Sequence, residues 1–338
     1  MTKKAKIAIL ASAAVVLLVI LIAVTPEIIK YVDENRAVAI VNGEKITKKE
    51  FSINYRSQID YYYGLDKAFL SQRVDGKTYE EQIKENVLEG LIIRQIELQQ
   101  AKKRNITLTA QEKKAIDEQI NQYKNDSQNR LQFKQYLQTI GATEDDYKDQ
   151  LIKLQIVSKL YNEVTKNQTA SNSEIEGYYN SHKSDYIQVK ASHILFKVSD
   201  PKEEAAKKKK AEEVLQMIKN GQSFEKLAQK YSEDETTKQK GGDLGYFRKG
   251  ESGLDKEFED ATFSLSIGEI SPVVKTSYGF HIIKVTDKKQ LTLNDVKDEI
   301  KSTIESEKKQ EYYKNLLEKW KKEAKIKKFE NVLKSVSI

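Results

Sequence analysis

Cysteine is absent from the 338-residue chain, and proline and histidine occur only three times each. The lack of cysteine excludes disulfides, thiolate nucleophiles, zinc–thiolate sites and a lipid-modified N-terminal cysteine. The fold must therefore be stabilised by a buried core, and a chain of this length can form one in two or three domains.

The chain also lacks a block of one charge sign. Lys and Arg number 58 against 51 Asp and Glu, a net charge of +7. Even the lysine run at 207–210 lies between Glu204 and Glu212, a pattern typical of a solvated helix face rather than a nucleic-acid surface. The glycine-rich "KGGDLG" at 240–245 lacks the spacing of a phosphate-binding loop. We expect no nucleic-acid partner and no cofactor.

One long apolar run is present at the N-terminus. Residues 7–24 contain a single polar residue, Ser12, and are long enough to span a bilayer as a helix. The lysines in residues 1–6 favour a cytoplasmic N-terminus, with the bulk of the chain outside the cell. A cleaved signal peptide is the alternative, but "VTPEIIK" offers no small-residue cleavage site. The sequence predicts a single-pass protein of the cell membrane.

Residues 37–185 read as mainly helical. An Asn42-Gly43 turn opens this region, and helical periodicity follows with few glycines and no proline. Helix starts are predicted where Ser or Thr is followed three residues later by Glu. These pairs are Thr47/Glu50, Thr78/Glu81, Thr109/Glu112 and Ser173/Glu176.

Residues 186–288 have a different texture, with most of the glycines and two of the three prolines. The pattern predicts strands at 188–198 and 280–286, and helices at 202–219, 223–231 and 255–263. Residues 289–338 return to amphipathic helix. Their apolar stripe is expected to pack on the helical region, which would make residues 186–288 an insertion.

Two of the three histidines lie in the predicted strands. Side chains alternate along a strand, so His193 shares a face with Val189 and Leu195, and His281 shares a face with Ile283 and Val285. A histidine in such a position is commonly a hydrogen-bonded core residue, and it is also suited to the floor of a site.

Four segments in this order resemble the parvulin family of peptidyl-prolyl cis/trans isomerases: "VKASHILFKV", "FEKLAQKYSED", "GGDLGYF" and "FEDATFSLSIGEISPVVKTSYGFHIIKV". The opening "AVAIVNGEKITKKEF" and the C-terminal helix are similar to those of the extracytoplasmic foldases of the PrsA and SurA families. The resemblance implies an α+β fold: a parvulin-like domain, a small antiparallel sheet with surrounding helices, inserted in a mainly helical chaperone-like domain after one transmembrane helix.

The resemblance also implies site residues. The catalytic positions are His193, Asp234, His281 and Tyr278, and the substrate-binding positions are Leu244, Leu254, Phe258 and Thr276. No metal is implied. "KVSDPKEE" lacks the arginine pair of parvulins that read phosphorylated substrates, so no phosphate requirement is expected.

The function implied is that of a foldase. Its expected partners are unfolded or partly folded exported polypeptides with X-Pro bonds and the membrane that holds the N-terminal helix, with a homodimer left open. This arrangement fits a bacterium with a single membrane. The alternative is a holdase or scaffold chaperone with a silent parvulin-like domain, using tyrosine-rich helices such as "NYRSQIDYYYG".

Overall fold

A computed structural model describes residues 25–64, 67–126 and 129–337. The predicted cytoplasmic tail and transmembrane segment, residues 1–24, lie outside the described residues. No helix within the described ranges is both long and apolar enough to cross a bilayer. The contacts divide the chain into two compact units, Met1–Gln168 with Lys309–Ile338, and Thr169–Lys308.

The N-terminal part of the first unit is mostly helical, as predicted. In chain order its elements are α1 (Pro26–Glu34), β1 (Ala37–Val41), β2 (Glu44–Thr47), α2 (Lys48–Tyr63), α3 (Lys67–Leu70), β3 (Arg73–Val74), β4 (Lys77–Thr78), α4 (Tyr79–Lys103), α5 (Ala110–Asn125), α6 (Asn129–Ile140) and α7 (Glu144–Thr165).

The second unit is built on a four-stranded antiparallel sheet. Its elements are α8 (Asn172–Ser181), β5 (Ile187–Lys197), α9 (Glu204–Lys219), α10 (Phe224–Tyr231), β6 (Asp243–Arg248), α11 (Lys256–Ser264), β7 (Val274–Thr276) and β8 (Gly279–Gln290). The strand order is β6-β5-β8-β7.

The chain ends with α12 (Leu293–Glu323), β9 (Ile326–Lys328) and α13 (Glu330–Lys334). The start of α12 belongs to the second unit and its end to the first. Accordingly, the predicted apolar stripe is divided: Val296 and Ile300 pack with Tyr186 in the second unit, while Trp320 enters the core of the first. Strand β9 pairs with β1, so both ends of the described chain contribute to one sheet.

Helix starts follow the predicted caps with one exception. Thr78 and Thr109 each form a full capping box with the glutamate three residues on. The predicted box at Ser173 and Glu176 is wrong, because the helix begins two residues earlier. There the Ser171 hydroxyl accepts from the Glu174 amide, and the Glu174 carboxylate accepts from the Ser171 amide at 2.7 Å.

The sheet of the second unit has helices on both faces. Ile194, Phe196, Phe280 and Ile282 face α9 and α10 in one apolar cluster. Val189, Ala191, Ile283 and Val285 face α11 in another. This alternation is the one read from the sequence. Strands β6 and β7 were not predicted, because the glycine-rich "GGDLGYF" resembles a loop and β7 has only three residues.

One glycine is required where β5 approaches the β6 segment. Gly242 has a φ of +84°, and a Cβ there would lie 2.1 Å from the carbonyl oxygen of His193. The absent side chain lets the His193 amide donate to the Gly242 carbonyl at 2.9 Å. This close approach fixes the backbone that carries His193.

Candidate active site

The pairing of β5 with β8 brings the two strand histidines together. His193 is opposite Ile283 and Leu195 is opposite His281, so the histidines are diagonal neighbours on one face. Their Nδ1 atoms are 3.2 Å apart, and the rings lie nearly parallel with centroids 5.4 Å apart. Each residue is only 5% exposed. The pair is therefore a hydrogen-bonded unit inside the second unit of the fold.

Asp234 approaches the pair from the turn after α10. The backbone of Leu195 holds this turn, because its amide donates to the Ser232 hydroxyl at 3.2 Å and its carbonyl accepts from the Glu233 amide at 2.8 Å. In this turn Asp234 Oδ2 lies 2.8 Å from His193 Nε2. The backbone of β5 therefore positions the Asp234 carboxylate.

The Asp234 carboxylate accepts four hydrogen bonds within the protein. Oδ1 accepts from the Thr236 amide at 3.1 Å and the Thr236 hydroxyl at 2.7 Å. Oδ2 accepts from His193 Nε2 and from the Thr237 hydroxyl. Burial raises the pKa of Asp234, but these hydrogen bonds outweigh it and hold the pKa well below its usual range. Asp234 is therefore an ionised group whose oxygens are already occupied.

Burial lowers the pKa of both imidazoles. The pKa of His193 falls because desolvation outweighs the opposing effect of Asp234. The pKa of His281 falls to about 4 because of desolvation and the neighbouring His193. Both rings are therefore neutral at pH 7, and each carries one N–H.

The neutral state sets the direction of the hydrogen bonds. Ionised Asp234 can only accept, so His193 Nε2–H donates to it and His193 Nδ1 must accept. His281 Nδ1–H then donates to His193, and His281 Nε2 accepts from the Thr276 hydroxyl at 2.9 Å. The Thr276 oxygen in turn accepts from the Tyr278 amide at 3.1 Å. One directed chain runs from β7 through both histidines to Asp234.

The predicted apolar residues adjoin this chain. Phe258 of α11 is 1% exposed, and its ring meets those of His193 and His281 edge to face at 5.7 and 5.2 Å. Leu244 and Leu254 are half-buried and pack on the same cluster as Phe258. Phe258 thus packs against the imidazoles inside the fold, while the two leucines remain partly exposed.

The eight residues predicted from the resemblance differ in how they take part. His193, Asp234, His281 and Thr276 form one hydrogen-bonded chain. Tyr278 joins this chain through its backbone amide, and the residue is 58% exposed.

Sequence reasoning missed Asp255, which links the two sides of the site. Its Oδ2 accepts from the amide and the hydroxyl of Ser277, both at 2.7 Å. Asp255 follows Leu254, and Ser277 lies between Thr276 and Tyr278. We call this contact the Asp255–Ser277 clamp. The residues are 22 positions apart, and no local pattern indicates their pairing.

A second carboxylate braces the loop before Leu254. Glu259 is 7% exposed; its oxygens accept from the Gly250 amide at 3.1 and 3.0 Å and from the Ser252 hydroxyl. The Ser252 oxygen accepts from the Leu254 amide at 3.1 Å. The backbone beside Leu254 is therefore fixed from both sides.

The arrangement suits noncovalent catalysis. The buried polar atoms satisfy one another, and no nucleophile with an activating base is assembled among the residues named above. Among the described residues, no group of three or more His, Asp or Glu side chains is placed to hold a metal ion. A fixed hydrogen-bonded chain beside apolar side chains is suited to binding a substrate in a strained conformation without reacting with it covalently.

Two family models match the chain. A "PPIC-type PPIASE domain" matches residues 178–289, which include the site, and a "SurA-like N-terminal domain" matches residues 1–161.

Several similar proteins carry the name PrsA. A foldase protein PrsA from Caldanaerobacter subterraneus subsp. tengcongensis is 36% identical over 301 residues, which are 87% of this chain and 88% of that protein. One from Clostridium botulinum is 33% identical over 313 residues, covering 88% and 89%. The crystal structure of a PrsA peptidylprolyl isomerase from Bacillus anthracis is 31% identical, covers 70% of this chain and 96% of that one, and has a TM-score of 0.33.

We expect Asp255→Ala to lower kcat/KM for prolyl isomerisation about ten-fold while the protein stays folded. A hydrogen bond to a charged group contributes about 1.5–3 kcal/mol, and about 1.4 kcal/mol corresponds to a factor of ten in rate. Asp260→Ala is the control, because Asp260 lies on α11, the helix that follows Asp255, but pairs with Lys249 and Lys256. Equal activity of the two variants would show that the clamp does not order the site.

The histidine pair should make the second unit less stable in acid. His281 has an ordinary pKa near 6.5 when unfolded and about 4 when folded. The unfolded chain therefore binds the proton more readily between these values, and stability falls by about 3 kcal/mol as pH drops from 6.5 to 4. Calorimetric melting of wild type and His281→Gln tests this. The stability gap between them should shrink with falling pH; a constant gap contradicts burial of a neutral His281.

Proposed function

The chain belongs to the PrsA family of foldase proteins and is a peptidyl-prolyl cis/trans isomerase; we propose that the His193–His281 site performs the isomerisation on exported polypeptides. The observation that carries this proposal is the directed, buried hydrogen-bond chain from Thr276 to Asp234 beside the half-buried leucines.

The reaction requires no bond to be made or broken. Rotation about an X-Pro bond is slow because amide resonance must be lost, at a barrier of about 18–20 kcal/mol. The enzyme must bind the twisted amide better than either planar form. A rigid site achieves this when its shape and polarity match only the twisted form, since it does not reorganise during the reaction.

We assign the proline ring to the surface of Leu244 and Leu254. Both side chains are half-buried on the apolar cluster that contains Phe258. Apolar contact removes water from the amide, and a drier amide loses less solvation when its charge separation falls on twisting. We assign the remainder of the peptide to Thr276 and the backbone at Tyr278, which flank Ser277 at the other end of the Asp255–Ser277 clamp.

We assign the histidines a positioning role. Each imidazole uses both ring nitrogens within the protein, so neither offers a free N–H to the substrate. Asp234 acts through them, because its charge keeps His193 in the Nε2–H tautomer. Losing Asp234 would free His193 to change tautomer and would interrupt the chain.

We also propose that residues 7–24 anchor the protein in the cell membrane, with the remaining chain outside. The hydropathy of this run and the lysines before it support the orientation. The clients would then be polypeptides that have just crossed the membrane.

For the first unit we propose a second, compatible activity, the binding of unfolded chains. Leu131 and Leu154 of this unit are 61% and 49% exposed, and Tyr61 is 80% exposed. Exposed aliphatic and aromatic side chains on helices bind apolar segments with little sequence preference. If the second unit were catalytically inactive, the protein would act only as a holdase, binding clients through these exposed residues.

Asp234→Ala separates the two activities. We expect kcat/KM on an Ala-Pro peptide to fall at least ten-fold, because the imidazole chain loses its acceptor, while suppression of aggregation of a denatured client is unchanged. Glu235→Ala is the matched control, since the neighbouring Glu235 side chain is 79% exposed. Full isomerase activity in folded Asp234→Ala would remove Asp234 from the mechanism. No isomerase activity in the wild type would leave the holdase as the function.

A further inference from the structure

Helix α1 exposes its apolar face to solvent. Its large apolar residues are all exposed: Ile28 47%, Ile29 59%, Tyr31 68% and Val32 60%. They are spaced i, i+1, i+3 and i+4, so they lie on one face of the helix. None of its nine residues is buried.

One polar residue of the helix, Asp33, contacts the rest of the first unit. Asp33 accepts from Lys48 of α2 at 2.5 Å and from Arg36 at 3.2 Å. An ordinary surface helix packs its apolar side on the core and turns its charges to water. Here the Asp33–Lys48 ion pair ties the helix to α2, and the apolar residues are exposed.

The place of this helix in the chain indicates what covers that face. The apolar run at residues 7–24 ends immediately before Thr25, the N-cap of α1. A run of this length is just sufficient to cross a bilayer, so the proposed anchor would place its end at the membrane surface. Ile28 follows four residues later and lies within about 14 Å of that end even in an extended chain.

A continuous longer membrane helix is a poor alternative. The Thr25 hydroxyl accepts from the Ile28 amide and Pro26 occupies the first turn, which mark the start of a new helix. Extension into the bilayer would also bury Glu27, Lys30 and Asp33, which lipid disfavours strongly.

We propose that α1 lies in the interface between the bilayer and water, with the face of Ile28, Ile29, Tyr31 and Val32 inserted among the lipids. The proposal rests on the proposed membrane anchor. Tyrosine at this position suits an interface, where its ring is partly apolar and its hydroxyl meets water. The helix carries Glu27, Asp33 and Glu34 against Lys30, so insertion relies on apolar contact rather than attraction to anionic lipid. The helix would orient the first unit at the membrane surface.

The absence of cysteine allows a direct test with single nitroxide labels on the full chain. Ile29→Cys reports the apolar face, Lys30→Cys the charged side, and Leu17→Cys the proposed anchor. Each variant is reconstituted in vesicles of phosphatidylcholine, with and without phosphatidylglycerol. Accessibility of the label to oxygen and to a water-soluble nickel chelate is then measured.

The proposal predicts that labels at residues 17 and 29 are more accessible to oxygen than to nickel, and that the label at residue 30 shows the reverse, in both lipid mixtures. If only the residue 17 label is shielded from nickel, the anchor stands and the interfacial helix is wrong. If the residue 17 label is open to nickel, both proposals fail. If the residue 29 label shows spin–spin broadening that unlabelled protein dilutes away, a second copy covers the face and the lipid proposal is contradicted.

Discussion

The register of β5 against β8 is the constraint on which the site depends. It sets His281 opposite Leu195 and diagonal to His193, and both imidazoles therefore point to the α11 face of the sheet. A slip of one residue would turn the histidines of one strand toward α9 and α10. The register is held from both faces, since Ile194 and Ile282 are buried on one side and Ile283 and Val285 on the other.

The electrostatic character of the site follows from that burial. Burial lowers the pKa of both imidazoles, so they are neutral at pH 7. Neutral imidazoles can be joined in a directed chain only if each donates once and accepts once. Asp234 supplies the acceptor at one end and Thr276 the donor at the other. The carboxylate remains ionised because the Thr236 and Thr237 hydroxyls and the Thr236 amide replace its water. The buried, neutral histidines and the ionised Asp234 are thus joined in one hydrogen-bond network.

Much of this arrangement could be predicted from the sequence because it depends on periodicity and linked motifs. Alternation placed both histidines on the correct face, and the parvulin-like segments identified the fold and the isomerase. The structure also showed what periodicity cannot: the Asp255–Ser277 clamp joins residues far apart in sequence, and a glycine-rich segment that resembles a loop forms β6. The cap of α8 was misplaced because Ser171 and Ser173 both precede a glutamate at the right spacing. The predicted site roles and the domain limits at 186 and 288 remain predictions.

The central claim is that a neutral histidine pair in a single tautomeric state forms the floor of the site. Nitrogen-15 NMR of the imidazoles at pH 7 tests it directly, because protonated and unprotonated ring nitrogens have well-separated chemical shifts. The account predicts a proton on Nε2 of His193 and on Nδ1 of His281, with His193 Nδ1 and His281 Nε2 unprotonated. A doubly protonated ring, or His281 protonated on Nε2, would contradict it.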